Sequence, residues 1–258
     1  MKSNSFLYIY AVEFSLMKKE NWSEAKVIKI AELTADIKHF WLQVQEVNSF
    51  DFKPGQYMTI DLSINDTSKD KFRSYSIASA PAGDAIFELV LKQQKGEQTS
   101  DYLFYDVKEG ATIKLSGPHG KFILPQKIEN DICFICTGTG ITPLRSMLQY
   151  LILKKQEHKK IFLFFGTRYL NDVLFRSEFE ELQKKFPQFT YQFVLSKEAS
   201  SGYKGIKGYV HQLYEKEFFD KRPAYFYICG WRGMIHETRE RLFKMGYSPK
   251  DIHQEIYE

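Results

Sequence analysis

The sequence predicts two domains of different construction: an N-terminal antiparallel β-barrel and a C-terminal α/β domain with a parallel sheet. Two observations carry this. From Ala25 to about Pro125, short runs rich in Val, Ile, Phe, Tyr and Thr are separated by turn residues, the pattern of a small all-β unit. After Pro125, strand-like runs alternate with helical ones, which implies βαβ units and a parallel sheet covered on both faces. The change falls at Pro125-Gln126. The expected division is therefore an extension over residues 1–24, a barrel over 25–125 and an α/β domain over 126–258.

The expected barrel strands are AKVIKIAEL, KHFWLQVQ, QYMTIDLSI, RSYSIAS, AIFELVLKQ and ATIKLSG, with partial period-2 alternation. Lys53-Pro54-Gly55, Ala80-Pro81-Ala82-Gly83-Asp84, Glu109-Gly110 and Gly117-Pro118 separate several of them as turns. One helical piece is expected near Thr99–Tyr105. In the second half, ICFICTG precedes a helix over Pro143–Lys155, and KIFLFFGT one over Leu174–Phe186. FTYQFVLS precedes a helix over Val210–Phe219, and AYFYICG one over Met234–Met245. IHQEIY closes the chain as a last strand. The continuous apolar runs FLFF and YFYIC suit strands buried on both faces.

The stretch Asp131–Tyr150, DICFICTGTGITPLRSMLQY, reads as strand, glycine turn and helix. Leu144, Met147, Leu148 and Leu151 share one helical face, and Pro143 suits a first helical turn. Gly138 and Gly140 allow a sharp turn and clear side chains from the helix mouth. Free N–H groups there, at the positive end of the helix dipole, suit an anion such as a dinucleotide pyrophosphate. Taken alone, the stretch is equally compatible with a plain tight turn.

Composition narrows the classes. At 258 residues, the chain has ample length for a core. A formal net charge of +4, with basic residues spread along the chain, lacks the clustered footprint of a nucleic-acid binder. The three cysteines are Cys133, Cys136 and Cys229. Cys133 and Cys136 lie in a strand run that places them on opposite faces, as core thiols rather than a metal or redox pair. No four-cysteine cluster is present for an iron–sulfur centre, and the six histidines show no metal spacing. No run is long enough for a membrane span, and the first twenty or so residues read as a loose extension without a secretory pattern. The expected setting is cytoplasmic and reducing.

Arg73-Ser74-Tyr75-Ser76 lies on an expected barrel strand, with Arg73 and Tyr75 on one face and Ser76 on the other. An arginine, an aromatic plane and a hydroxyl would suit a flavin nucleotide, although these residues alone read better as an ordinary half-exposed strand. The segment Arg73–Ser79, RSYSIAS, resembles the flavin motif of the ferredoxin–NADP reductase superfamily. Other marks follow in order: Gly96–Leu103 is similar to the segment holding the FAD pyrophosphate, and Gly117–Phe122 to the turn that closes the barrel. Gly138–Pro143 resembles the nicotinamide-dinucleotide loop, and Cys229-Gly230 with Met234 the CGxxxM element. Glu255-Ile256-Tyr257 resembles the glutamate-plus-aromatic ending.

The resemblance implies an FAD enzyme that takes hydride from NADH or NADPH. Arg73 and Ser74 belong to the flavin motif, Arg73 binding a phosphate. Tyr75 stacks on the isoalloxazine, and Ser76 hydrogen-bonds near its N5 edge. Backbone amides of Thr99 and Ser100 hold the pyrophosphate. Thr139, Gly140 and Thr142 hold the pyridine nucleotide, and Cys229 with Gly230 packs the nicotinamide over the flavin. Tyr257 covers the flavin. Ser76, Cys229 and Glu255 are the implied catalytic residues. Read without the resemblance, Cys229 is better taken as a small buried thiol at a strand end. The choice of NADH or NADPH stays open: Arg168, Ser196, Lys197, Lys204 and Lys207 suit a 2′-phosphate, and Glu198 opposes one. Lacking iron–sulfur cysteines, the enzyme is expected to deliver electrons to a separate acceptor: a ferredoxin, a flavodoxin, an oxygenase component or a haem protein. Two other readings share the fold: a reductase of free flavin or another small molecule, and a nucleotide-binding electron-transfer subunit of a larger complex.

Overall fold

The computed structural model describes residues 22–62, 72–153, 158–200 and 202–257. The expected extension lies outside these residues up to position 21. Six strands form the first sheet: β1 (Trp22–Thr34), β2 (Ile37–Val44), β3 (Tyr57–Asp61), β4 (Phe72–Ser76), β5 (Ile86–Lys92) and β6 (Thr112–His119). Their spatial order is β4-β3-β6-β1-β2-β5, with every pairing antiparallel. An antiparallel bridge between Ile77 and Leu89 brings the two edge strands together, as a barrel requires. β1 starts at Trp22, earlier than its apolar pattern suggests, because pairing with β6 continues outward to Trp22 opposite Ser116.

The barrel is filled by inward side chains, including Val27, Phe40, Leu42, Met58, Ile60, Phe87, Leu89 and Leu115. The expected helical piece is a short α1 (Gln98–Asp101) that widens into a π turn over Tyr102–Asp106.

The second sheet is wholly parallel, in the order β11-β10-β7-β8-β9. Its strands are β7 (Asp131–Thr137), β8 (Ile161–Thr167), β9 (Phe189–Leu195), β10 (Ala224–Trp231) and β11 (Ile252–Tyr257). The helices are α2 (Ile141–Leu153), α3 (Arg176–Lys185), α4 (His211–Glu217) and α5 (Arg232–Met245). α2 follows a 3₁₀ turn over Gly138–Gly140, so helical structure begins before Pro143.

Alternation along β7 divides its residues between two cores: Ile132, Phe134 and Cys136 on one face, Cys133 and Ile135 on the other. Cys133 and Cys136 therefore point to opposite faces, and all three cysteines are free and buried. The first of these cores also takes in Ile37, Ala78, Val90 and Phe122 from the barrel side. One apolar cluster thus joins the two sheets through α2. No helix among the described residues is long and apolar enough to cross a membrane.

Candidate active site

Parallel register places Cys229 beside Glu255 and Trp231 beside Tyr257, at the carboxyl ends of β10 and β11. Such strand ends are where open α/β sheets bind ligands. From the other sheet, Ser76 closes the group: its hydroxyl donates to Glu255 Oε1 at 2.8 Å, across a separation of 179 residues. Ser76, Cys229 and Glu255 are therefore gathered at one junction. Burial pushes the Glu255 carboxyl up, and the Ser76 hydrogen bond partly offsets this. Burial, followed by the Glu255 carboxyl beside it, pushes the Cys229 thiol well up. A thiol held so is a poor nucleophile. The Tyr257 hydroxyl lies by Ser76 and Cys229, yet makes no hydrogen bond of ordinary geometry among the described residues.

The glycine turn is built by close backbone contact. A Cβ on Gly140 would stand 2.4 Å from Cys229 O and 2.6 Å from Gly230 N. Gly230 has φ +132°, and a Cβ there would meet Thr137 Oγ1 at 2.4 Å. Gly138 has φ +55°, and a Cβ there would meet nothing within 4 Å, which leaves the mouth of the turn open. Thr142 donates its hydroxyl to Thr139 O at 2.7 Å, so that hydroxyl closes the turn itself. Thr137 Oγ1 accepts from Trp231 N at 3.1 Å, tying the turn to the start of α5.

On the barrel side, Arg73 forms an ion pair with Glu97, just before α1. The Ser74 hydroxyl lies 3.1 Å from that of Thr59. Tyr75 is half-buried against the barrel core. Burial takes its hydroxyl up to about 12, with Arg73 lowering and Glu97 raising it. The Ser100 hydroxyl accepts from Gln94 N at 2.7 Å, so it shapes the turn before α1. The side chain of Thr99 lies outside what the structure describes.

These residues fit an FAD phosphate. Arg73 supplies a cation. Asp101 N donates to Glu97 O at 2.9 Å, so the amides of Gln98 to Ser100 precede the first N–H that has an intrahelical acceptor. Gly96 has φ +83°, and a Cβ there would meet nothing within 4 Å, leaving room at the backbone. Glu97 is an anion at the same place, and its Oε2 is buried without a partner.

The residues suited to a 2′-phosphate lie on two loops joined by backbone bonds. Lys197 N donates to Arg168 O at 3.0 Å, and Ser196 N to Thr167 O at 2.9 Å. Glu198 accepts from Leu170 N at 3.1 Å and Ser200 N at 3.0 Å, so its carboxylate holds these loops together.

Sequence reasoning missed Arg145, His39 and Glu88. Arg145 is buried on α2 and donates to Glu88 Oε2 at 2.6 Å, which also accepts from His39 Nε2 at 2.9 Å. The only local signal is a polar strip, Arg145, Ser146 and Gln149, flanking the apolar face of α2. Burial alone would raise the Glu88 carboxyl, but the His39 and Arg145 hydrogen bonds and charges outweigh it and take it from 4.5 to about 2. A carboxyl depressed by folding stabilises above its unfolded value and loses that contribution as pH falls through its folded value. Thermal stability is therefore expected to fall as pH drops from 4.5 to about 2, with a flatter slope in Glu88→Gln. An equal slope in both proteins would refute this.

A barrel carrying this arginine–tyrosine strand, set against a parallel sheet with a glycine turn after its first strand, is the architecture of a two-domain oxidoreductase using flavin and pyridine nucleotide. Residues 24–123 match the family described as oxidoreductase FAD-binding domain, and residues 134–240 the oxidoreductase NAD-binding domain. Ferredoxin–NADP reductase B of Sorangium cellulosum is 31% identical over 244 residues, covering 91% of this chain and 97% of that protein. Phenol hydroxylase P5 protein of Acinetobacter pittii is 30% identical, and the match spans 91% of this chain but only 65% of that protein. The crystal structure of a ferredoxin–NADP⁺ reductase from Neisseria gonorrhoeae, with bound FAD and NADP, superposes with a TM-score of 0.74 at 22% identity, covering 91% and 98% of the two chains. The chain belongs to the ferredoxin–NADP reductase family of FAD- and NAD-binding oxidoreductases, and is an NAD(P)H-dependent flavoprotein reductase.

Proposed function

We propose that this protein takes hydride from NADH or NADPH and passes the electrons to a separate acceptor protein such as a ferredoxin, a flavodoxin or an oxygenase component. The observation that carries the proposal is the Ser76–Glu255 hydrogen bond with Cys229 beside it, because it joins the flavin-motif strand to the nucleotide sheet at one point. When bound, FAD supplies the step from a two-electron donor to one-electron acceptors. The protein supplies orientation and exclusion of water. Residues 25–125 form the FAD-holding unit and residues 126–258 the nucleotide-holding one.

Arg73 and the amides of Thr99 and Ser100 hold the phosphates, with Ser74 supporting the strand and Tyr75 and Tyr257 against the ring. Ser76 and Glu255 set the proton arrangement at the ring edge. Thr139, Gly140, Thr142 and Gly230 shape the nucleotide mouth, and Cys229 packs against the nicotinamide. A separate acceptor suits a chain whose three cysteines are buried singly. Two of the three similar proteins named above are a ferredoxin–NADP reductase and a phenol hydroxylase P5 protein. A cytoplasmic setting suits its free thiols.

The test is an anaerobic visible-absorbance titration of the FAD-reconstituted protein with NADH and, separately, NADPH, followed by addition of a ferredoxin or of free FMN. Bleaching of the flavin bands by one nucleotide and reoxidation by the protein acceptor is the expected result. Failure to retain FAD, or flavin bands unchanged by either nucleotide, would overturn it. Rapid turnover of free FMN without reaction with the protein acceptor would replace the protein acceptor by a small molecule.

A further inference from the structure

We propose that Arg145 is a positioning residue that sets the nucleotide loop against the flavin-contact strand, so that the nicotinamide and flavin rings meet at reacting distance. The inference rests on the proposed function for the location of the two rings. Arg145 sits one turn into α2, the helix that begins directly after Gly138–Gly140. Its guanidinium crosses to the barrel. Nη1 donates to Ala78 O at 2.9 Å and to Glu88 Oε2 at 2.6 Å. Nε donates to both oxygens of Glu178 at 3.0 and 2.9 Å. The Phe175 ring lies 4.5 Å from Cζ.

Neighbours on the same helix repeat the crossing. The Ser146 hydroxyl donates to Ser79 O at 2.6 Å, and Gln149 Oε1 accepts from Ala80 N at 3.1 Å. Ala78 N donates to Glu88 O at 2.8 Å, and Glu88 N to Ser79 Oγ at 3.1 Å. The segment immediately after Ser76 is thereby pinned at Ala78, Ser79 and Ala80, and its fixed partner is the helix that carries the nucleotide turn.

The chemistry requires arginine. Lysine places one ammonium where a planar fork reaches a carbonyl and two carboxylates at once. Arg145 is also buried and Glu88 partly so, where an unpartnered charge is costly. A setting error of about 1 Å can slow a reaction about 100-fold without contact with the reacting atoms. Ser76–Glu255 ties the sheets at the reacting edge, and Arg145–Glu88 ties them behind it. Of the ties behind it, only the Arg145 fork spans a carbonyl and two carboxylates at once.

The test uses full-length, FAD-loaded Arg145→Lys and Glu88→Gln beside the unaltered protein. The readouts are FAD affinity by flavin fluorescence, rapid-reaction flavin reduction at saturating nucleotide, and the long-wavelength charge-transfer absorbance that arises only when nicotinamide and flavin rings stack. The expected result is FAD affinity within about twofold of the unaltered protein, flavin reduction slowed about 10- to 100-fold, and loss of the charge-transfer band in both variants. The double variant is expected to be no worse than the poorer single one, as coupled partners require. Full rates and an intact band in either folded variant would overturn the proposal. Should Arg145→Lys fail to fold, Glu88→Gln decides, because it removes the charge and keeps the shape. A missing band in the unaltered protein, with flavin still reduced, would overturn this positioning role alone. Missing flavin reduction would overturn the proposed function with it.

Discussion

Ser76→Ala is expected to slow flavin reduction at saturating nucleotide by about two to three orders of magnitude, within the range for loss of a positioned proton-handling group. The hydroxyl it removes donates to Glu255 Oε1 at 2.8 Å, the contact that joins the two sheets at the proposed site. The substitution also leaves the buried Glu255 carboxyl without that donor. Its affinity for a proton is already raised by burial, and the Ser76 hydrogen bond lowers it. Removing the bond therefore raises it further, and any limb of the pH–rate profile set by Glu255 moves to higher pH. Stopped-flow reduction across a pH series measures both effects. An unchanged rate, or a limb that moves to lower pH, would remove Ser76 and Glu255 from the proposed chemistry. FAD retention is expected to persist, since Arg73 and the amides before α1 are untouched.

Gly140→Ala is expected to abolish useful pyridine-nucleotide binding, with a loss of at least about 100-fold in affinity, and to destabilise the α/β unit by more than about 4 kcal/mol. The added Cβ would lie 2.4 Å from Cys229 O, 2.5 Å from Cys229 C and 2.6 Å from Gly230 N. All three atoms are backbone in a buried strand, so no rotamer change relieves the contact. The strand or the turn must move, and either motion displaces the glycine loop from Cys229. Gly202→Ala is the control, because a Cβ there meets nothing within 4 Å. Calorimetry of nucleotide binding and thermal unfolding decide the matter. Near-normal binding in Gly140→Ala would show that the loop is not the nucleotide mouth.

Much of the architecture was legible in the sequence because face preference is written locally. Period-2 runs separated by turn residues marked the strands from β1 to β6, and continuous apolar runs marked the buried β8 and β10. The same alternation placed Cys133 and Cys136 on opposite faces before any contact was known. The glycine turn after β7 and the helix that follows were readable from Thr137 to Leu151, since turn geometry and helical spacing need only near neighbours. Family resemblance then marked Ser76, Cys229 and Glu255 as one site.

Other features depended on how distant segments cross. Ser76 and Glu255 are 179 residues apart, and no periodicity in either strand records their meeting. Arg145 reads as an ordinary polar position beside an apolar stripe, and only the seating of α2 on the barrel brings it to Glu88, 57 residues away. The early start of β1 at Trp22 comes from its partner β6 rather than from its own pattern. Sequence alone determined which faces are apolar and where the chain turns, because those are short-range sterics and hydrophobicity. Tertiary structure decided which buried polar groups find partners, because desolvated charge and hydrogen-bond geometry are settled only when separate elements pack.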